Sequence, residues 1–314
     1  MASNAKNLAE LLNNESTITV ADVADGSITT AKLADDAVTN AKIGASAVGT
    51  TEIADDAVTS AKSDGSIGVG KNVIINGAMN VAQRATSSTG IGASHGYFTC
   101  DRWYIYTSNN DGRLTMSQDT DAPEGFSKSL KLACTTADTS IAANELTRIR
   151  YRIEGKDVQQ IGMGTTGAKP ITVSFYVKGN ATATYVCELQ DHDNSRVATK
   201  SFTVGTTWSR VEITFPAETS GNKFDNDVNN SLTISWLLHA GSNFTSGTFS
   251  NTGTFAATVD ANRALSGQTS FFDSTNRTFF LTGVQLETGD AATEFEHRSF
   301  GEELAACQRY YNRI

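Results

Sequence analysis

An aliphatic side chain falls on every fifth residue of one stretch: Ile18, Val23, Ile28, Leu33, Val38, Ile43, Val48, Ile53 and Val58. The full unit is ten residues. Gly26-Ser27-Ile28-Thr29-Thr30-Ala31-Lys32-Leu33-Ala34 aligns with Asp36-Ala37-Val38-Thr39-Asn40-Ala41-Lys42-Ile43-Gly44, and less closely with residues 46–54 and 56–64. A fixed internal period of this kind constrains the fold before any motif does. A helix face repeats every 3.6 residues and a strand face every two, so a period of five fits neither.

Ala, Thr, Ser, Asp, Lys and Gly fill the space between the aliphatics, which leaves one thin apolar stripe. Burying so few side chains does not offset the entropy of ordering some forty residues. Other copies of the chain must supply the missing wall. The expectation is a homotrimeric shaft with nine stripe residues, Ile18, Val23, Ile28, Leu33, Val38, Ile43, Val48, Ile53 and Val58, facing the axis. A disordered linker is a second reading, but a linker has no reason to keep the aliphatic period. A single-chain pentapeptide solenoid is a third. It needs several stacked coils, and the position two before each aliphatic is not uniformly small, as Asp36, Thr51 and Asp56 show.

The 314 residues suffice for one large domain and an extension. A net charge of −9 argues against nucleic acid, which needs a basic footprint. No apolar run reaches the roughly 18 residues that a membrane span needs. The start, Met1-Ala2-Ser3-Asn4-Ala5-Lys6, lacks a signal peptide's basic and apolar regions, so synthesis in a cytoplasm without that export route is expected. Cys100, Cys134, Cys187 and Cys307 are far apart and lack CxxC spacing, which points to reduced, buried thiols.

Four segments follow. Residues 1–17 include an amphipathic helix candidate with Leu8, Leu11 and Leu12 on one face, a candidate anchoring peptide. Residues 18–63 are the shaft and 64–71 a glycine-rich joint. Residues 72–314 show period-two alternation: Phe98 to Tyr106, Thr147 to Ile153, Ile171 to Val177, Ala183 to Leu189, Val211 to Phe215, Leu232 to Leu238, and Thr278 to Leu286. This predicts a mainly β fold, an antiparallel jelly-roll sandwich. One helix closes the chain. Ser299 and Glu302 have capping-box spacing, and Phe300, Leu304, Cys307 and Tyr311 share a side.

Two enzyme-like motifs fail on context. Gly92-Ala93-Ser94-His95-Gly96 matches a nucleophile elbow, but no strand is expected before it and no helix after it. Gly162-Met163-Gly164-Thr165-Thr166-Gly167 matches a phosphate loop, but Pro170 and a strand follow. His95, His192, His239 and His297 show no metal-ligand spacing. Asp191-His192-Asp193-Asn194 and Asp225-Asn226-Asp227 fit polar turns better than cation loops. Catalytic, cofactor-binding and metal residues are therefore all assigned as none. Arg148, Arg150 and Arg152 share a strand face, either an ordinary solvated face or a stripe that meets an anionic sugar or a neighbouring chain's carboxylates. The irregular stretch from Gly241 to Thr275 mixes aromatics with amides and hydroxyls, which suits sugar recognition. Its candidate glycan contacts are Phe244, Phe249, Asn251, Phe255, Asn262 and Phe271, although packing against the sandwich explains such phenylalanines equally well.

Three pieces carry a family resemblance. They are the decapeptide repeat, Asn76-Gly77-Ala78-Met79-Asn80-Val81-Ala82-Gln83-Arg84 with Asp101-Arg102-Trp103, and Gly283-Val284-Gln285-Leu286-Glu287 with residues 295–304 and Cys307-Gln308-Arg309-Tyr310-Tyr311. Together they resemble tail fibre proteins of bacteriophages that infect marine bacteria and cyanobacteria. Thr293 stands where many relatives have proline. The resemblance implies a non-enzymatic, homotrimeric virion fibre, assembled in the host cytoplasm and attached to tail or virion proteins. It also implies a carbohydrate-binding-like domain that meets host lipopolysaccharide or capsule. The family motifs are structural signatures and assign no ligand residues. Two further readings stay open: a structural decoration spike that binds no receptor, and a polysaccharide-degrading tailspike. The second lacks a parallel β-helix pattern and a convincing acid pair.

Overall fold

The computed structural model describes residues 72–313 and ten separate positions between 29 and 53. The chain divides into two units, Met1–Val58 and Thr59–Ile314. In the first unit Leu33, Val38, Ile43, Val48 and Ile53 each sit at a backbone bend. All five are 40–54% exposed in the single chain. The other stripe residues, the anchor leucines Leu8, Leu11 and Leu12, and the 64–71 joint lie outside the described residues.

Twelve strands are described in the second unit. They are β1 (Ser87–Ile91), β2 (Tyr104–Ser108), β3 (Arg113–Asp119), β4 (Ser129–Thr136), β5 (Leu146–Glu154) and β6 (Ile171–Gly179). There follow β7 (Ala183–Asp191), β8 (Arg196–Val204), β9 (Ser209–Phe215), β10 (Asn230–Ala240), β11 (Ala256–Ala257) and β12 (Thr278–Thr288). A helical turn α1 (Ser242–Thr245) and the C-terminal helix α2 (Phe300–Gln308) complete the elements that bear on the site.

The strands form two sheets. Sheet A runs β1-β3-β4-β12-β6-β9 and sheet B runs β11-β8-β7-β10-β5-β2, with antiparallel pairing throughout. Within them, β4-β12-β6-β9 and β5-β10-β7-β8 have the strand order of two Greek keys, so the sandwich is a jelly roll. The chain changes sheet at eight of its eleven strand-to-strand connections. One face of each strand meets the core; the other meets the outside in most strands, whereas β10 and β12 are buried on both faces.

Between the sheets Trp103, Trp236, Phe175, Tyr185 and Phe279 are buried. Trp236 meets the Phe175 ring edge-on at 5.5 Å. The seven strands expected from alternation all form, but the first begins at Tyr104 rather than Phe98 because residues 98–103 turn. The pattern does not announce β1, β3, β4 and β8. In β3 the inward Leu114 and Met116 are followed by Ser117 and Gln118, and the run stops short of a clear period.

The opening and closing family-like motifs of the second unit meet in one seam. Asn76 donates through Nδ2 to the carbonyls of Val81 and Asp101. Trp103 donates to the Asn76 carbonyl at 2.9 Å, and Gln83 donates to the Tyr311 carbonyl at 2.8 Å. Arg102 lies 3.4 Å over the Tyr310 ring. At Gly77 a Cβ would stand 2.2 Å from the Val284 carbonyl oxygen, so only glycine lets the opening segment reach β12. The capping box of α2 is formed, with Glu302 N–H donating to Ser299 Oγ. The expected apolar side of α2 is corrected at two positions. Phe300 is 59% exposed, and Tyr311 lies past the end of the helix, while Glu303 and Cys307 are buried. The four cysteines are buried, free thiols.

Candidate functional site

Strand register builds three rows across the outer face of sheet B. The first is Tyr106, Arg148, Leu237, Val186 and Ser201. The second is Tyr104, Arg150, Ser235, Glu188 and Thr199. The third is Arg152, Thr233, Gln190 and Val197. Directly opposed residues of an antiparallel pair share a face, so these side chains stand together.

The edge of this face is aromatic. Gly96 pairs with Ile105 through two 3.0 Å backbone hydrogen bonds. That bridge aligns the flanking His95 and Tyr97 with Tyr104 and Tyr106. His95 stacks on Tyr106 at 5.2 Å, and Tyr97 meets Tyr104 edge-on at 5.0 Å. The Arg150 guanidinium lies 4.5 Å over Tyr106 and that of Arg152 4.5 Å over Tyr104. The rings fix the arginines by cation–π contact and supply no counter-charge.

The charges on this face do not balance. Glu188, fully buried, accepts from Arg148 Nη1 at 3.0 Å and Arg263 Nε at 2.7 Å. Burial opposes the charge of Arg263, and Glu188 more than offsets it, holding the group above arginine's ordinary value. Arg150 and Arg152 have no carboxylate partner and donate no side-chain hydrogen bond among the described residues. Burial pushes Arg150 down to about 10. Glu188 resists this, and Arg263 and Arg152 add to it. Nε of Arg150 and Oγ of its neighbour Ser235 are buried without partners. Such orphans in a native fold call for an explanation.

The long connection between β10 and β12 lies across one end of this face. Ala264 packs with Leu146, Val186 and Leu237, and Phe244 and Phe249 lean on the same cluster. The candidate glycan contacts are placed as follows. Phe271 and Phe255 are 0% and 4% exposed, so no sugar can stack on them, and this expectation is corrected. Phe244 and Phe249 are half-buried in the packing. Asn251 Oδ1 accepts from Ser201 N–H, and Asn262 Oδ1 accepts from Thr248 N–H, so both amides brace the loop. The connection is a cover, and the open part of the face is Tyr104, Arg150, Arg152 and Gln190. Sequence reasoning found the arginines but not the aromatic edge, and β-pairing of Gly96 is what links the two.

The enzyme-like motifs are turns here, and Asp191–Asn194 is the β7–β8 hairpin turn, with Asn194 N–H donating to Asp191 Oδ1. One grouping escaped the spacing argument. Asp138, Glu145 and His239 are buried with ligand atoms within 4.8 Å of one another. His239 Nε2 lies 2.9 Å from Glu145, and its Nδ1 lies 2.8 Å from Ser270. Burial depresses the imidazole and Glu145 partly offsets it. Two carboxylates and an imidazole have the donor chemistry for a divalent ion. Here the ring ties β10 to the segment before β5.

No protein-family model and no curated protein matches this chain. Among solved structures, a family 4 carbohydrate-binding module is 12% identical, with TM-score 0.31, covering 68% of this chain and 97% of its own. The family 11 module of cellulosomal cellulase Lic26A-Cel5E of Clostridium thermocellum is 12% identical, with TM-score 0.31, covering 67% and 98%. The xylan-binding domain CBM22-1 of Paenibacillus barcinonensis Xyn10C is 10% identical, with TM-score 0.31, covering 60% and 87%. The jelly-roll assignment rests on the strand order above and not on these overlaps.

Proposed function

We propose that this chain is a receptor-binding fibre of a bacteriophage and that the outer face of sheet B binds a glycan of the host surface. The observation that carries the binding site is the half-open row Tyr104–Arg150–Ser235 beside the aromatic edge, where polar groups are held in place without partners. Gln190 and the two arginines, held beside Tyr104 and Tyr106, offer donors to sugar hydroxyls.

The fibre reading rests on the repeat and on the family-like motifs. Five aliphatics exposed at a fixed period suit burial by identical copies about a common axis. Residues 1–17 then anchor the fibre to the particle, and three sandwiches per fibre add avidity to a weak single site. The chain binds and does not cleave.

Mass photometry of the full-length chain and a glycan array of bacterial surface polysaccharides test both parts. A trimer that retains one class of polysaccharide and releases no reducing ends supports the reading. A stable monomer removes the shaft. A trimer that binds no polysaccharide fits the decoration spike instead.

A further inference from the structure

We infer that the glycan is an anionic polysaccharide, and that Arg150 and Arg152 form a subsite for a carboxylate or sulfate group on it. This rests on the glycan reading above and names its chemical class. Four arginines stand on or over this face: Arg148, Arg150, Arg152 and Arg263. Glu188 takes two of them, and Asp260 lies 3.2 Å from Arg263 as well. No carboxylate among the described residues pairs with the other two. The imbalance is local, since the whole chain carries −9.

Three further observations converge on the same spot. The tyrosine rings hold both guanidiniums in fixed planes, and a planar, oriented guanidinium suits two parallel hydrogen bonds to a carboxylate or sulfate. Nε of Arg150 has no partner although it is buried, and Oγ of Ser235 opposite it, on a side chain 0% exposed, has none either. Burial also disfavours the Arg150 charge, which an incoming anion would relieve. A neutral sugar supplies hydroxyls but no counter-charge, and would leave this cation pair uncompensated.

The full-length chain should be assayed by affinity electrophoresis and interferometry against four polymers at about 0.15 M salt. The probes are polygalacturonate, dextran sulfate, unmodified dextran and laminarin. Retention of polygalacturonate or dextran sulfate, but of neither neutral polymer, is expected, and the polymer retained names the anionic group. Arg150→Gln and Arg152→Gln should each weaken binding by about tenfold or more, the scale of a charged hydrogen bond. Lys178→Gln, on the outer face of sheet A, removes the same charge and should leave binding within twofold.

Equal loss from Lys178→Gln would mean unspecific charge attraction and overturn the subsite. Binding of the neutral polymers that survives Arg150→Gln would overturn the anionic class and leave the glycan reading standing. Retention of none of the four polymers overturns this inference and leaves the glycan reading to the array of bacterial surface polysaccharides. A fall from trimer to monomer in the arginine variants would assign the stripe to a neighbouring copy's carboxylates instead.

Discussion

The outer faces of the two sheets are made alike and charged differently. On sheet A every lysine and arginine that faces outward from β4, β6 or β9 has a carboxylate. Lys131 pairs with Asp119 at 3.0 Å, Lys178 with Asp121, and Arg210 with Glu212 at 3.2 Å. Trp208 also donates to Asp121 at 2.9 Å. On sheet B, Glu188 serves two arginines while Arg150 and Arg152 face outward without one. Matched charges close a surface against ligands, because each donor is already engaged. Unmatched and partly dehydrated charges leave a surface with something to gain from a partner. On the function proposed above, the difference separates a face that only completes the fold from a face that meets a ligand.

The largest test of this contrast is the anion under sheet B. Glu188→Gln leaves Arg148 as a buried cation without a counter-charge and Arg263 with only the exposed Asp260. Breaking a buried pair from one side costs about 3–5 kcal/mol. Urea denaturation should show a loss near that size. The matching change on sheet A, Asp121→Asn, should cost well under 1 kcal/mol, because its carboxylate is 39% exposed and solvent screens the pair. A loss below about 1 kcal/mol for Glu188→Gln would mean that solvent reaches the sheet B cluster, and the contrast would fail.

Acid should separate the faces again, with a smaller effect. Burial tends to raise the Asp119 carboxyl, but hydrogen bonds from the Asp121 backbone and Lys131 leave it below 3.8. The hydrogen bond from Lys178 holds Asp121 below 3.8 too, and Trp208 helps. Carboxylates with depressed values stabilise the fold above pH 3.8, and that stability is lost as pH falls through their folded values. Asp121→Asn should therefore flatten the stability profile below about pH 4. Arg150, held near 10, does not titrate there, so Arg150→Gln should leave the acid slope unchanged. An Arg150→Gln profile that flattens as the Asp121→Asn profile does would erase the distinction.

How much of this was legible follows from what alternation encodes. Period two marks which residues point inward, so β5, β6, β7, β9, β10 and β12 were readable from Ile149, Phe175, Tyr185, Ile213, Trp236 and Leu281. The same period also showed that Arg148, Arg150 and Arg152 point together. It carries nothing about which strands are neighbours. Glu188 is 38 residues from Arg150 in sequence, and sheet B brings them together through β10. The phenylalanines of the 241–275 connection misled for a related reason. Aromatics in a polar loop look the same whether they face a ligand or the core, and Phe271 and Phe255 face the core. The Asp138–Glu145–His239 group was hidden because His239 in β10 lies 94 residues from Glu145 in the β4–β5 connection.

The finest distinction between the faces concerns the sign of one small effect. A residue kept for stability loses stability when replaced, and a residue kept for a ligand need not. Arg150 is held down to about 10 by burial, so its folded environment disfavours the charge it carries at neutral pH. Replacing it with glutamine removes the cation and keeps a polar chain over Tyr106. Arg150→Gln should therefore raise unfolding stability by about 0.5–1 kcal/mol, read in urea at pH 7, while it weakens anion binding. Lys178→Gln should do neither, because its charge is already matched by Asp121. If Arg150→Gln destabilises the fold instead, the guanidinium is a structural brace over Tyr106, and sheet B's excess charge belongs to packing rather than to recognition.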